Sequence, residues 1–417
     1  MNFDLSEDQR LMRESFARFF DEQSSIARVR AVQPGGFDAL MWKGLAELGA
    51  FSLRVPEALD GLGLGLMDAV VLMEEAGRRL ASGPVAETLV SARLLALCGG
   101  AEAGDILADV LAGDAIVTLA FRDTAGEPLQ WVAGGAIAHA VIARSGDEVV
   151  LVSIPESARV GEPNLASTPV AELDLSAHPR TVLGSGVAAT RLFTQAVEEW
   201  KLLISAALAG LARESLELAS AYACERKQFG QLIGTFQGIS HPLADLLCDV
   251  DGGKFLVWKS IRDIADGSAE AGPTISLATW WNIDAATRSV AQSLHTFGGY
   301  GLTTEYDIFL YNLRAKAWPL VFGDPQRFLE EAGRRFYAGE MPVLPEAGDV
   351  PIDFDLGDDA RAITREIDEF FARHVTPEMR KKFHYSWEGF VPELNKKLAE
   401  AKLLYLGLPK DVGGRGL

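Results

Sequence analysis

The stretch Tyr222-Ala-Cys-Glu-Arg-Lys-Gln-Phe-Gly-Gln231 decides how the rest of the chain is interpreted. A helical pattern leads into it and breaks at Gly230, and a second helical pattern follows after a short turn. Arg226 and Lys227 are therefore predicted at a helix end, where the macrodipole favours cations and where they can reach an anion outside the helix. Two interpretations stay open here: an ordinary capped helix end, or a contact to a diphosphate with Phe229 as an apolar wall.

Composition limits the class of protein. A chain of 417 residues exceeds one ordinary core, so two to four domains are expected, and a hydrophobic content of 48% is enough to pack them. The formal net charge of −19 argues against a nucleic acid or an anionic membrane as partner. The start has no signal-peptide pattern, no apolar run is long enough to span a bilayer, and the six histidines show no metal-ligand spacing. Three cysteines in apolar helical patterns are typical of buried free thiols in a reducing compartment and predict a cytoplasmic protein: Cys98, Cys224 and Cys248.

The order of patterns predicts a mostly α-helical chain with a small β domain. Residues 1–114 carry helical spacing of apolar residues almost throughout and form the predicted N-terminal helical domain. Short apolar or alternating runs at 115–121, 136–143 and 148–154, bounded by Gly, Asp and Pro, predict strands and a small β domain over 115–193. Helical periodicity returns from about Thr194, and helices with wide apolar faces predict a four-helix bundle over 194–341.

The end of the chain repeats its beginning. Two pairs of segments match in the same order and at nearly the same offset: Asn2-Phe-Asp-Leu-Ser-Glu-Asp-Gln-Arg10 with Asp353-Phe-Asp-Leu-Gly-Asp-Asp-Ala-Arg361, and residues 55–64 with residues 408–417. Such matches indicate an internal duplication. Residues 342–352, rich in Pro, Gly and acidic side chains, are predicted to be a linker, and 353–417 the start of a second copy of the helical domain. The 417 residues thus look like a fragment of a longer, two-copy protein.

Three segments together resemble the acyl-CoA dehydrogenases. They are Val55-Pro-Glu-Ala-Leu-Asp-Gly-Leu-Gly63, Glu225-Arg-Lys-Gln-Phe-Gly230 with Phe236-Gln-Gly-Ile-Ser240, and His295-Thr-Phe-Gly-Gly-Tyr-Gly301 with Leu313-Arg-Ala-Lys316. The resemblance covers about 1–340, restarts at 352, and implies the acyl-CoA dehydrogenase-like order of helical domain, β domain and four-helix bundle. The third segment is most similar to a branch that acts on steroid side-chain and other bulky acyl-CoA thioesters. The residues that match this branch are Gly298, Gly299, Gly301, Thr303, Glu305, Tyr306, Asp307, Gly323 and Asp324.

The resemblance implies an activity and a cofactor. Such enzymes use FAD to desaturate an acyl-CoA thioester between Cα and Cβ, with a carboxylate as the base for the α-proton. An electron-transferring flavoprotein is the implied electron acceptor, and self-association is implied as well. Six residues match family positions near a FAD held mainly by a neighbouring subunit: Arg226, Gln228, Phe229, Gln237, Gly298 and Gly299. For the glycine pair, a plain helix C-cap is an equal alternative.

The chain departs from the family at the catalytic centre. Phe322 stands where the usual Glu base is expected, and an alternative base position near the start of the first bundle helix falls on Trp200. Glu199 is the candidate base, one residue or about 100° away on a helix; the alternative is that Glu198 and Glu199 are solvated acids near a helix start. The family's flavin loop, Thr-Glu-Pro-x-x-Gly-Ser-Asp, has only Arg122-Asp-Thr-Ala-Gly-Glu-Pro128 as its nearest match.

The retained residues are thus those that reach across an interface, and the lost ones are those that build the copy's own pocket. We expect the degenerate half of a two-copy dehydrogenase, which completes the FAD site of a partner copy and has its base beyond Leu417. One alternative is an active first half that uses Glu199. Another is a structural or acyl-CoA-binding module without a redox role, and a further one is a related fold with oxygenase chemistry.

Overall fold

The computed structural model describes residues 1–164, 166–383 and 390–417. The chain divides into two compact units, a larger one of Asp4–Ile352 and a smaller one of Met1–Phe3 with Asp353–Leu417. Helices dominate both units, and the strands of the described chain lie between residues 117 and 232. The predicted fold class, mostly helical with a small β domain, is confirmed.

Six helices open the larger unit: α1 (Glu7–Gln23), α2 (Ile26–Ala31), α3 (Ala39–Glu47), α4 (Leu66–Arg78), α5 (Val85–Cys98) and α6 (Ala101–Leu111). The first begins with a capping box. Ser6 Oγ accepts from the Gln9 backbone N–H at 3.1 Å, and Gln9 Oε1 accepts from the Ser6 N–H at 3.3 Å. These two bonds satisfy amides that a helix start otherwise leaves without partners, which is why this pattern fixes where α1 begins.

Six strands follow: β1 (Val117–Leu119), β2 (Leu129–Val132), β3 (Ala140–Ser145), β4 (Glu148–Ser153), β5 (Ala171–Asp174) and β6 (Arg180–Ser185). Four of them form a sheet in the order β1-β3-β4-β6, parallel between β1 and β3 and antiparallel elsewhere. Strands β2 and β5 form a separate antiparallel pair. Apolar side chains from the sheet and from the pair share one core, which includes Val132, Val141, Val150 and Leu173.

The remaining helices of the larger unit are α7 (Gly186–Glu225), α8 (Gln237–Ala265), α9 (Ala271–Phe297), α10 (Ile308–Ala317) and α11 (Gln326–Ala338). Helix α7 has 40 residues and starts at Gly186, well before the predicted Thr194. It crosses α4 closely at Gly210, where a Cβ would lie 1.9 Å from the Glu74 carbonyl oxygen. No helix in the described part of the chain is both long and apolar enough to cross a membrane.

The segment predicted as a linker, residues 342–352, packs on the larger unit. Arg54 Nη2 donates to the Glu346 carbonyl at 2.6 Å, and the Leu66 N–H at the start of α4 donates to the Ala347 carbonyl at 2.8 Å. The side chains of Ala347, Val350 and Ile352 are buried. Buried apolar residues, and backbone carbonyls that accept from Arg54 and from the start of α4, therefore make this segment part of the folded unit.

The smaller unit contains α12 (Gly357–His374), α13 (Pro377–Phe383) and α14 (Pro392–Glu400). Its buried core includes Phe370, Leu394 and Leu403. Asn2 and Asp353 exchange two backbone hydrogen bonds of 2.7 Å, and the rings of the residues that follow them, Phe3 and Phe354, lie 4.9 Å apart. These four residues occupy equivalent positions in the two matching segments of the sequence.

The other matching pair, residues 55–64 and residues 408–417, has the same backbone hydrogen bonds in each unit. In both loops the first residue's carbonyl accepts from the glycine eight positions later at 2.8 Å. The proline carbonyl that follows accepts from the glycine five positions later, at 3.1 Å in both loops. The similarity of the two sequences is thus accompanied by the same local conformation.

Candidate functional site

Helix α7 ends at Glu225, and the quoted stretch continues as a hairpin. Arg226 is the C-cap residue, and its backbone N–H donates to the carbonyl four residues earlier at 2.9 Å. The chain then forms β7 (Lys227–Gln228), which pairs antiparallel with β8 (Gln231–Leu232). Arg226 therefore lies at the helix end, as predicted, with its side chain free to project from that end.

Phe229 and Gly230 connect the two short strands, with φ of 52° and 81°. A two-residue connection with positive φ at both positions favours Asn-Gly, and a bulky residue there is an outlier that costs about 1–3 kcal/mol. The Phe229 side chain is 93% exposed, and its ring contact in the described chain is with Phe236 at a centroid distance of 6.2 Å. Packing within the described part of the chain therefore does not explain a phenylalanine at this position.

An open groove of about 690 Å³ lies between the hairpin and the end of α9. Five of the six residues predicted to contact a cofactor line this groove: Arg226, Gln228, Phe229, Gly298 and Gly299. The sixth, Gln237, is exposed at the first position of α8 and does not line it. The fold thus brings together residues from two regions of sequence about 70 positions apart.

The two glycines of the groove differ in their local constraints. Gly298 is the C-cap of α9 and has φ of 61°, so the helix end itself favours glycine there. Gly299 does not have a positive φ, and a Cβ built on it would meet no atom within 4 Å. The helix-cap alternative therefore accounts for Gly298 alone, and the space above Gly299 is open to another molecule.

Arg226 supplies positive charge to the groove. Among the residues that the structure describes, no carboxylate oxygen lies within 4 Å of its guanidinium. The group lies instead over the face of the Tyr300 ring, 5.5 Å from the centroid. A cation without a carboxylate partner beside an open groove can bind an anionic ligand at little cost in lost ion pairs.

The positions where a catalytic base was sought are filled by packed aromatic side chains. Trp200 is fully buried, and its ring centroid lies 4.4 Å from Phe121 and 5.7 Å from Phe322. Phe322 in turn stacks on Phe328 at 4.9 Å. Centroids this close belong to touching rings, so no further ring fits between them. We call these four residues, Phe121, Trp200, Phe322 and Phe328, the aromatic cluster.

Glu87 lies next to the aromatic cluster and was not singled out from the sequence. Its Oε1 accepts a hydrogen bond from Trp200 Nε1 at 2.9 Å, and both residues are buried. Burial raises the pKa of Glu87 above its ordinary value, against a smaller opposing effect of the Trp200 hydrogen bond. The residue lines a separate cavity of about 70 Å³ between α4, α5 and α7.

Glu199, the candidate base, is held in a buried ion pair. Its oxygens accept from Arg54 Nε at 3.0 Å and from Arg54 Nη2 at 3.3 Å, and Arg93 Nε lies 3.6 Å away. The side chain is 1% exposed. Glu199 therefore points at two guanidinium groups, and it lines neither the groove nor the cavity beside Glu87.

The alternative interpretation of Glu198 and Glu199, solvated acids near a helix start, is wrong. Both lie about three turns inside α7 because that helix begins at Gly186. Glu198 Oε1 accepts from Lys201 Nζ and from Arg335 Nη2, each at 2.7 Å. Burial by itself raises the pKa of Glu198, but the two cations outweigh burial and hold that pKa below its ordinary value.

The sequence indicates separately that Trp200 and Phe322 stand where a carboxylate base is expected. It gives no sign that the two side chains touch. Their contact joins α7 to the segment after α10, and no periodic pattern links those regions. Glu87 carried no signal either, since an acid in the first turn of a helix is ordinary. In the described ranges no three His, Cys, Asp or Glu side chains are grouped so that they could hold a metal ion.

Comparison with known families and proteins agrees with this geometry. The acyl-CoA dehydrogenase N-terminal domain matches residues 6–113, which contain α1 to α6. The acyl-CoA dehydrogenase C-terminal domain matches residues 190–336, which contain most of α7 and extend into α11. The groove residues and the aromatic cluster's Trp200, Phe322 and Phe328 fall within the second match.

Individual relatives point the same way. The acyl-CoA dehydrogenase IpdE2 of Mycolicibacterium smegmatis is 29% identical over 328 residues, which is 78% of this chain and 97% of IpdE2. The acyl-CoA dehydrogenase FadE34 of Mycobacterium tuberculosis is 31% identical over 307 residues, 72% of this chain but only 42% of FadE34. A solved variant of the Tcur3481–Tcur3483 steroid ACAD has a TM-score of 0.71 and 26% identity, covering 80% of this chain and 98% of that one. The chain therefore belongs to the acyl-CoA dehydrogenase family, FAD-dependent oxidoreductases that act on acyl-CoA, as its sequence motifs predicted.

Proposed function

We propose that this chain is part of an FAD-dependent acyl-CoA dehydrogenase and that its first copy is a half that completes an FAD site held by a partner copy. The observation that carries the proposal is Phe229, a bulky side chain at positive φ that is 93% exposed. Strain of this kind persists where it serves a contact, and this chain supplies little of that contact. An aromatic face for a ligand bound by another copy accounts for it.

The groove fits the anionic part of FAD. Arg226 offers a guanidinium that no described carboxylate neutralises, and such a group binds phosphate oxygens through charge-assisted hydrogen bonds. Open space over Gly299 allows a close approach to the backbone. Bound FAD supplies the hydride acceptor of the reaction. The role of these residues is to bind and orient the diphosphate end, and the exposed groove leaves the ring end to a partner.

The aromatic cluster argues against an isoalloxazine ring or a base in this copy's own site. The aromatic cluster closes the space between β1, α7 and α11, and Phe322 and Trp200 cannot accept a proton. A thioester α-proton is a weak acid, so abstraction needs a carboxylate placed in a dry site beside the substrate. Glu199 meets the requirement for burial, but it pairs with Arg54 and Arg93 and lines neither the groove nor the cavity beside Glu87. This geometry favours the non-catalytic half over an active half that uses Glu199.

A second copy in the same protein is the proposed partner. The two matching loops share their backbone hydrogen bonds, and the chain spans less than half of FadE34. A protein with two copies can lose the base and flavin loop in one of them and keep both in the other. The electron-transferring flavoprotein acceptor and the self-association follow from the resemblance, and the cytoplasmic location follows from the cysteine pattern. All three remain predictions.

Flavin content of the purified protein tests the proposal. Arg226→Ala should lower the FAD-to-protein ratio measured from the visible absorption spectrum, because the diphosphate loses its cation. Arg334→Ala is the matched control, since Arg334 is an exposed arginine paired only with Glu340 in the described chain. An unchanged FAD ratio in Arg226→Ala would contradict the proposal. A wild-type protein without any flavin would favour the non-redox, acyl-CoA-binding alternative.

A further inference from the structure

Arg226 does not stand alone in the groove, because an aromatic ring supports it. Its guanidinium lies 5.5 Å from the centroid of Tyr300, which belongs to the short turn after α9. Arginine has many rotamers, and an exposed one without an ion pair samples most of them. A ring face that holds the guanidinium limits this freedom, and such an arrangement at an exposed site is worth about 0.5–1 kcal/mol.

Tyr300 is itself held in place by other rings. Its centroid lies 5.1 Å from that of Tyr306, and Tyr306 lies 5.5 Å from Phe297 and 6.2 Å from Tyr222. Phe297 and Tyr222 stack at 4.3 Å with 19° between their planes. These four residues tie the end of α9 to the last turn of α7, the turn that carries Arg226. The support under the guanidinium is therefore fixed to the same helix end as the arginine.

We infer that Tyr300 is a positioning residue, which holds the Arg226 guanidinium at the groove for the diphosphate of FAD. The inference rests on the proposed function, because it assumes that Arg226 binds that ligand. A guanidinium held in advance loses less conformational entropy when the ligand binds, so the ring raises affinity through Arg226. The Tyr300 hydroxyl forms no hydrogen bond within the described chain, so the ring face alone performs this role.

A purely structural role for Tyr300 predicts a different pattern of results. In that case removal of the ring would lower the stability of the α7 and α9 ends, and the loss would not depend on the residue at 226. A positioning role requires coupling between the two side chains, which a double-mutant cycle measures directly. A phenylalanine at 300 keeps the ring face and should restore the wild-type behaviour.

The experiment is a titration of FAD into the flavin-depleted full protein, followed by quenching of flavin fluorescence, with thermal unfolding recorded in parallel. Tyr300→Leu should weaken FAD binding about two- to fivefold, the factor that corresponds to a cation–π contact. Tyr300→Phe should bind as the wild type does. In an Arg226→Ala background, Tyr300→Leu should cause no further loss of affinity.

The failures of the two proposals are distinguishable in the same data. An Arg226→Ala variant with wild-type FAD affinity would overturn both the proposed function and the role of Tyr300. A weakened Arg226→Ala variant beside an unaffected Tyr300→Leu variant would overturn the positioning role alone. Equal loss from Tyr300→Leu in both backgrounds would also overturn it, since the ring would then act independently of Arg226.

Discussion

Replacement of Phe229 by asparagine separates what this residue does for the fold from what it does for a ligand. Phe229 and Gly230 both have positive φ, and Asn-Gly is the pair that such a hairpin connection prefers. Relief of the left-handed conformation is worth about 1 kcal/mol, and the lost edge contact with Phe236 costs about 0.5 kcal/mol. Little area is lost because the ring is 93% exposed. Phe229→Asn should therefore raise the free energy of unfolding by about 0.5 kcal/mol.

The same substitution should weaken FAD binding strongly. If the exposed ring is buried against the cofactor or the partner copy, its removal costs about 2 kcal/mol, which is about 30-fold in the dissociation constant. Denaturant unfolding measures the first effect and FAD titration of flavin-depleted protein measures the second. Phe229→Leu is the control, since it keeps an apolar side chain and the unfavourable φ and should change both quantities less.

A stabilised variant with weakened FAD binding is the combination that the structure predicts. Loss of stability by more than about 1 kcal/mol would show that Phe229 packs in the native fold, where the structure has it exposed. Unchanged FAD affinity would refute the reasoning that connects its strained conformation to a ligand.

Three further substitutions test the rest of the account. Glu199→Gln leaves Arg54 without its buried carboxylate partner and should lower the free energy of unfolding by about 3 kcal/mol without abolishing turnover. The exposed control Glu172→Gln should change neither quantity. Lost turnover at full stability would favour the active-half alternative. Burial raises the pKa of Glu87, so the folded state keeps that proton longer than the unfolded chain, and stability should fall as pH rises from the ordinary glutamate range through the folded pKa. Glu87→Gln keeps an acceptor for Trp200 and should flatten this decline in unfolding free energy against pH; an unchanged slope would show that Glu87 does not cause it. Ile352→Ala should lower the free energy of unfolding by about 3 kcal/mol if residues 342–352 belong to the folded unit. The exposed control Asp349→Ala should lower it by almost nothing. Equal effects of the two substitutions would mean that the segment is not packed.

Much of the helical framework was predictable because its apolar periodicity is strong. Helices α8 and α9 lie within 194–341, where helices were predicted, and the capping box at Ser6 marks the start of α1. The early start of α7 was not predicted, because the segment after Gly186 mixes small and polar residues and resembles the end of the β domain. The runs that predicted strands did not include β2, β5 or β6, because β2 and β5 are only four residues long and no residue of β6 is fully buried.

The candidate site also has parts that the sequence predicted and parts that it did not. The turn at Arg226 was predictable because a helix end, a glycine and a second helix lie within a few residues of sequence. The burial of Glu198 and Glu199 was not, because only Lys201 is a near neighbour in sequence. The other cations that pair with them, among them Arg335 and Arg54, are more than a hundred positions away. Charge in a sequence indicates solvent exposure unless its partner is known, and only the fold identifies the partner.

The most direct test is an experimental structure of the FAD-loaded protein in its native assembly. We expect the Arg226 guanidinium to lie at hydrogen-bond distance from the FAD diphosphate and the isoalloxazine ring to be held by another copy. The aromatic cluster around Trp200 should be undisturbed. An isoalloxazine ring bound beside Phe121 and Trp200 of the same copy would contradict it, and so would an Arg226 side chain that contacts no FAD.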